Sequence, residues 1–190
     1  MIDEVLDDKE FIKLDYSGKE LVGKEFSRCT FIDCNFSESI LFSKDFIDCS
    51  FIDCNMSNVQ LKDTGLKNVK FTGCKLIGID FSQCKEFLFT VNFDRCHLDY
   101  SNFQKVNLKK TIFFECMIKE SSFVETNLTE VGFINCNLSR TVFEMSDLTK
   151  TDFRTAYNYS INPDVNTIKG TKFSYPAVLG LLDRFDIKVS

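Results

Sequence analysis

The chain has 190 residues, enough for one domain with a core of its own. Its net charge of -5, with lysines interspersed among acids, leaves no basic stripe for nucleic acid, and no segment approaches membrane-spanning length. Nine cysteines, an odd number, behind an acidic N-terminus (MIDEVLDDKE) without a basic and then apolar export signal point to a cytoplasmic protein with free thiols.

Twenty-one phenylalanines against no tryptophan and two prolines imply one core position used many times over. After residues 1–10, expected to cap the N-terminus, an apolar residue recurs every five positions: Phe11, Tyr16, Leu21, Phe26, Phe31 and so on to Phe81. The register slips by two residues across 82–87 and resumes as Leu88, Phe93, Leu98 and onward to Phe153. A five-residue step rotates by about 140° on a helix and so never builds a stripe. On a flat strand an odd step flips the side chain to the other face each time. The chain must therefore turn a corner between successive buried residues, as a solenoid does, with coils stacked about 4.8 Å apart.

Blocks such as Ser101-Asn102-Phe103, Val106-Asn107-Leu108, Thr126-Asn127-Leu128, Ser146-Asp147-Leu148 and Thr151-Asp152-Phe153 resemble the pentapeptide-repeat family. The resemblance implies an all-β fold, a right-handed quadrilateral parallel β-helix with four blocks per coil. Twenty-nine blocks then give about seven coils over residues 11–173. Four faces put residues twenty apart in one column, and the sequence agrees: Phe93, Phe113, Phe133 and Phe153 form one column, Phe103, Phe123 and Phe143 a second, with Leu98, Ile118 and Leu138, then Leu108, Leu128 and Leu148, between them.

Eight of the cysteines (29, 34, 49, 54, 74, 96, 116 and 136) lie two residues before a central residue, an inward corner with room for a small side chain; Cys84 falls in the slip. Cysteine is expected there as a small hydrophobe, since zinc sites want C-x2-C spacing and converging ligands. His97 precedes a central residue and should point outward without a catalytic partner. No nucleotide-binding, zinc-protease or nucleophile-elbow motif occurs, so no enzyme, cofactor or metal is expected.

Up to Phe81 there are fifteen acids against ten basic residues, and from Ser82 thirteen against thirteen. Asp33, Glu38, Asp48, Asp53 and Asp63 sit at the turns two residues after central ones, and Glu115, Glu120, Glu125 and Glu130 repeat that position on four consecutive faces as an acidic belt. Ordinary solubilising charge would account for them.

Residues 174–190 read as a helix capped by Ser174, with Val178, Leu181, Leu182 and Phe185 on one side, followed by Ile187 and Val189 in a short extended tail. This stripe would cover the open end of the shaft and join two subunits end to end in a homodimer. INPDVN at 161–166 and LLDRFDIKV at 181–189 make the tail similar to those of Qnr-type quinolone-resistance and microcin immunity proteins of the family. That similarity implies a dimeric acidic rod that mimics DNA and binds DNA gyrase or topoisomerase IV, with the acidic residues above as the contact surface. The alternative is a scaffold or binding module for another protein.

Overall fold

One large apolar residue in every block of five can be buried only if the backbone bends in each block, and it does. The computed structural model, which describes residues 5–185 and 187, is a right-handed four-sided parallel β-helix of about seven coils. The bend falls two residues after the central one, where the backbone enters the left-handed region: φ is 52° at Asp33, 58° at Glu38, 54° at Asp48 and 52° at Asp53. Such residues cost roughly 1 kcal/mol each outside Gly, Asn and Asp, and the ladder hydrogen bonds on either side hold them in place.

The first face carries a four-stranded parallel sheet of Val5–Asp7, Glu25–Ser27, Asp45–Ile47 and Gly65–Lys67. The second carries a seven-stranded sheet running from Glu10–Ile12 to Gly132–Ile134. The third is built from single bridges such as Asn35↔Asn55 and His97↔Met117. The fourth adds one strand pair, Ser122–Val124 with Val142–Glu144. The ladder begins at Val5, inside the segment expected to be a cap.

Register fixes the core. Phe11 pairs with Phe31, Phe31 with Phe51, Phe51 with Phe71, and Phe71 with Phe93. The last step spans twenty-two residues, so the inserted pair is absorbed without breaking the column. Along the second face the rings are stacked, 4.7 Å apart for Phe31 and Phe51 and 5.6 Å for Phe153 and Phe173. Across the lumen they meet edge to face, as Phe103 meets Phe113 at 6.1 Å and 90°. Both arrangements suit the ring quadrupole and are worth about 0.5–1.5 kcal/mol beyond area burial.

The slip departs from expectation in one respect. Leu88 is not a central residue: it is 62% exposed with φ 59°, and Phe89, half-buried against the core, takes its place. The Lys85 N–H still donates to Thr64 O, twenty-one residues back as in a regular coil. The chain therefore leaves the wall after Lys85. It is held out by the Lys85–Asp45 ion pair at 2.9 Å and by the Lys67 ammonium 6.0 Å from the Phe87 ring, and rejoins at Val91, which pairs with Val69.

At the C-terminus the expected helix is two 3-10 turns, Ala177–Leu181 and Asp183–Phe185. Gly180 O accepts from the Ile161 N–H at 3.1 Å, a carbonyl an α-helix would need for itself, and a Cβ at Gly180 would collide with Tyr159 O. The segment is thus drawn flat across the shaft. Ser174 Oγ does not cap it but donates to Arg154 O. Ala177 and Leu181 pack on the core, so this segment does cover the end of the stack where Phe173 and Tyr159 lie.

Candidate interaction surface

The inner small positions hold eight of the nine cysteines, all buried and free. Cys34, Cys54, Cys74, Cys96, Cys116 and Cys136 occupy one continuous column and Cys29 and Cys49 a second. Each buried sulfur donates to the carbonyl of a central residue one coil back, Cys54 to Phe31 O at 3.4 Å and Cys136 to Phe113 O at 3.3 Å. Thr126 donates to Phe103 O and Thr151 to Leu128 O in the same way, at 2.8 and 2.7 Å. Cys, Ser and Thr are therefore interchangeable as small donors, a role the small-hydrophobe reading missed. Burial pushes the Cys49 thiol up to about 12, and the hydrogen bond with the Cys136 sulfur, followed by burial, does the same to Cys116. Among the described residues no group of three or more His, Cys, Asp or Glu converges on a metal site.

The remaining chemistry is on the outside. His97 is exposed, as its position predicts. Asp33, Glu38, Asp48, Asp53, Asp63, Glu115, Glu120, Glu125 and Glu130 are all exposed at left-handed corner positions. Glu115, Glu120, Glu125 and Glu130 do circle one coil. The ladder distributes the nine acids over four separate corners, however, and each corner column mixes signs. One runs Lys13, Asp33, Asp53, Gly73, Arg95, Glu115; the next runs Glu38, Asn58, Gly78, Tyr100, Glu120, Arg140. Asp63 and Glu125 share the third corner, where Lys105 lies 3.6 Å from Glu125. Asp48 and Glu130 share the fourth with Arg28, Lys110 and Lys150. Arg140 binds Glu120, which also accepts from Tyr100 at 3.3 Å. Asp33 and Asp53 are the candidates that sit directly above one another.

Hollows on the faces are shallow, and among the described residues no helix is long and apolar enough to cross a membrane. At the C-terminal end Val178, Leu181 and Leu182 are half-buried within the single chain, while Phe185 and Ile187 are 52% and 55% exposed. Val189 lies outside the described residues.

Sequence comparison matches the profile of the pentapeptide repeat region at residues 24–86 and 87–157. The chain belongs to the pentapeptide-repeat family. Among solved structures it is similar to HetL, a pentapeptide-repeat protein involved in heterocyst differentiation regulation in the cyanobacterium Nostoc sp. strain PCC 7120, at TM-score 0.54 and 15% identity, covering 90% of this chain and 87% of HetL. It is similar also to QnrB1, a plasmid-mediated fluoroquinolone resistance protein, at TM-score 0.49 and 19% identity over 98% of this chain and 97% of QnrB1. No curated protein sequence matches. At 15% identity the likeness to HetL extends to the fold alone.

Proposed function

We propose that the protein is a non-catalytic interaction rod that docks another protein along its corners, and that a type II topoisomerase is the first partner to test. The observation that carries this reading is the wall itself. Exposed side chains stand at fixed left-handed corners, one at each corner of a coil, on a shaft that among the described residues gathers no group of three or more His, Cys, Asp or Glu at one point. Such a surface discriminates partners by the pattern of charge along it.

A DNA-mimicking use of the rod draws support from its N-terminal half, which holds the whole negative excess and the stacked Asp33 and Asp53. In the C-terminal half Arg95, Lys105, Arg140, Lys110 and Lys150 stand next to the belt glutamates and blunt it. On this reading the topoisomerase contact is made by Asp33, Glu38, Asp48, Asp53 and Asp63. A gyrase supercoiling assay with and without a fluoroquinolone tests it. Inhibition or drug protection at micromolar protein is expected, abolished by Asp33→Lys with Asp53→Lys and unchanged by Glu115→Lys. No effect of the unmodified protein removes the topoisomerase and leaves the rod as a scaffold for another partner. The end-to-end homodimer through Val178, Leu182, Phe185, Ile187 and Val189 belongs to the same proposal. Light scattering should give twice the mass for the full chain and a single mass for a chain ending at Phe173.

A further inference from the structure

The second face carries an apolar stripe on its outside. Isoleucine repeats at the outward position after the central residue: Ile12 pairs with Ile32 and Ile32 with Ile52, and Thr72 follows. Ile12 is 51% exposed, and Ile32 and Ile52 are half-buried. In the same coils the third face places Ser17, Ser37 and Ser57 at the equivalent position, so the wall itself does not demand an aliphatic side chain there. Beside the stripe, before the central residues, stand the uncharged Thr30 and Ser50. Asp33 and Asp53 form the adjoining corner, above Lys13. Both are exposed, and among the described residues neither carboxylate has an ion-pair partner. Asp48 marks the opposite corner, where it accepts from the neutral Asn68 amide at 2.7 Å, while Arg28 below it is tied to Asp7. The recurring Phe-Ile-Asp of residues 31–33 and 51–53 thus sets a ring inside, an aliphatic side chain outside and a carboxylate at the corner.

An apolar stripe with carboxylates at both edges fits a partner that brings an apolar ridge flanked by cations. The strands of this stretch already pair with the coils on both sides, so the face offers side chains and no free sheet edge for an added strand. The partner must then present a backbone satisfied within itself, which an α-helix does. Helix residues at i, i+3 or i+4, and i+7 make a ridge that advances about 10.5 Å. Two steps of the isoleucine column advance about 9.6 Å, so the ridge and the column keep step over three rungs. We propose that the N-terminal part of the second face is the docking site for a basic amphipathic helix of a partner protein. The helix lies along the shaft, with its aliphatic ridge on Ile12, Ile32 and Ile52 and its Lys or Arg side chains on Asp33, Asp53 and Asp48. This rests on the reading of the shaft as an interaction rod and names the element the partner contributes, whether or not that partner is a topoisomerase.

The test is an amide chemical-shift titration of the full chain with a synthetic helical peptide of about 18 residues, carrying Leu at i, i+4, i+7 and i+11 and Lys on both flanks. The same peptide with Glu for every Lys is the control. A dissociation constant on the order of 0.1 mM is expected for the basic peptide. Its shifts should saturate and be confined to residues 12–13, 30–33, 48–53 and 70–72, and the acidic peptide should bind at least tenfold more weakly. Ile32→Thr with Ile52→Thr keeps β-branched residues in the strands and should weaken binding at least tenfold. Asp33→Asn with Asp53→Asn keeps side chains that tolerate the left-handed corner; it should weaken binding at least threefold and reduce its dependence on salt. A topoisomerase partner is tested by supercoiling alone, so the two readings fail by different measurements. Absence of saturable shifts, shifts spread along the shaft, equal binding of the two peptides, or shifts at these residues that appear with protein concentration alone, as a second copy on the face would give, would each overturn the proposal.

Discussion

The shaft on the two sides of the insertion is the same tube filled in two ways. Before it, the second aromatic column stands on the first face, next to the first column: Phe26 meets Phe31 at 5.8 Å and 61°, and Phe46 meets Phe51 at 5.5 Å and 63°. After it, the second column is on the fourth face, where Phe103, Phe123 and Phe143 continue a stack that starts at Phe81 just before the insertion, and the first face carries Leu108, Leu128 and Leu148. Contacts between the columns become nearly perpendicular, 88° for Phe113 with Phe123. The changeover begins one coil before the insertion, where Leu66 pairs with Phe46 and ends the first-face run of rings. The lumen fixes the volume to be filled in each coil, and it does not fix which face supplies the rings.

Inner-wall chemistry differs too, and alkali should separate the halves most strongly. Thiols at Cys34, Cys49, Cys54 and Cys74 before the insertion, and at Cys96 and Cys116 after it, are all raised in the folded chain. A thiol raised by folding stays protonated in the native state while the unfolded chain ionises near pH 8.5, so stability falls as pH rises above that value. The loss is roughly 1 kcal/mol per thiol by pH 9.5, several kcal/mol in sum. Urea midpoints at pH 7.5 and 9.5 should differ accordingly, and hydrogen exchange at pH 9.5 should show the N-terminal coils opening first. Cys54→Ser keeps the donor to Phe31 O and should reduce the drop. A midpoint that does not move would mean that these sulfurs ionise as readily folded as unfolded.

The change of column can be tested by moving a ring. Phe123→Leu should cost about 1–2 kcal/mol through the space it leaves, and Leu128→Phe about 1–3 kcal/mol through crowding. Together they rebuild, within one coil, the adjacent-face arrangement of Phe26 and Phe31, and the pair should recover at least half of the summed loss. Strict additivity in chemical denaturation would show that the two halves are not interchangeable fillings.

Much of this architecture was legible because a period of five leaves the backbone few options. The columns, the inward thiols, the outward His97 and the capped C-terminal end all follow from counting residues. Counting failed where the ladder was held by contacts that no period encodes: Asp45 takes Lys85 and Lys67 takes the Phe87 ring, and between them they keep Leu88 out. The acidic belt is real along the chain, yet electrostatics acts between coils, where Arg140 lies twenty residues from Glu120. Helical spacing at Val178, Leu181, Leu182 and Phe185 was present without a helix, because the Gly180 carbonyl is claimed by Ile161.

Removing Lys85 and Glu86 would erase the boundary. It leaves Cys84-Phe87-Leu88-Phe89-Thr90 as one regular block, with Leu88 in the central position. Burying that side chain is worth about 1.5–3 kcal/mol, offset in part by loss of the Lys85–Asp45 pair, for a net gain of about 1 kcal/mol. The melting temperature should rise. A fall in stability would mean that the outward loop contributes more through Asp45 and Lys67 than Leu88 would inside.

The smallest effect concerns the turns, where both halves use two kinds of side chain for one task. Asn35, Asn55, Asn127 and Asn137 each accept from the N–H two residues on, and so do Asp15, Asp147 and Asp152. The Thr149 hydroxyl holds the Asp147 carboxyl below its ordinary range and Arg154 does the same for Asp152. A carboxyl lowered by folding adds stability above its unfolded value near 3.9, and that contribution is lost as pH falls through the folded value. Because these groups are partly exposed and screened, Asp152→Asn should cost only a few tenths of a kcal/mol at pH 7 and less at about pH 2.5. Asparagine supplies the same acceptor oxygen without the charge, so an equal loss at both pH values would show that the turn depends on the geometry of the carboxylate and not on its ionisation.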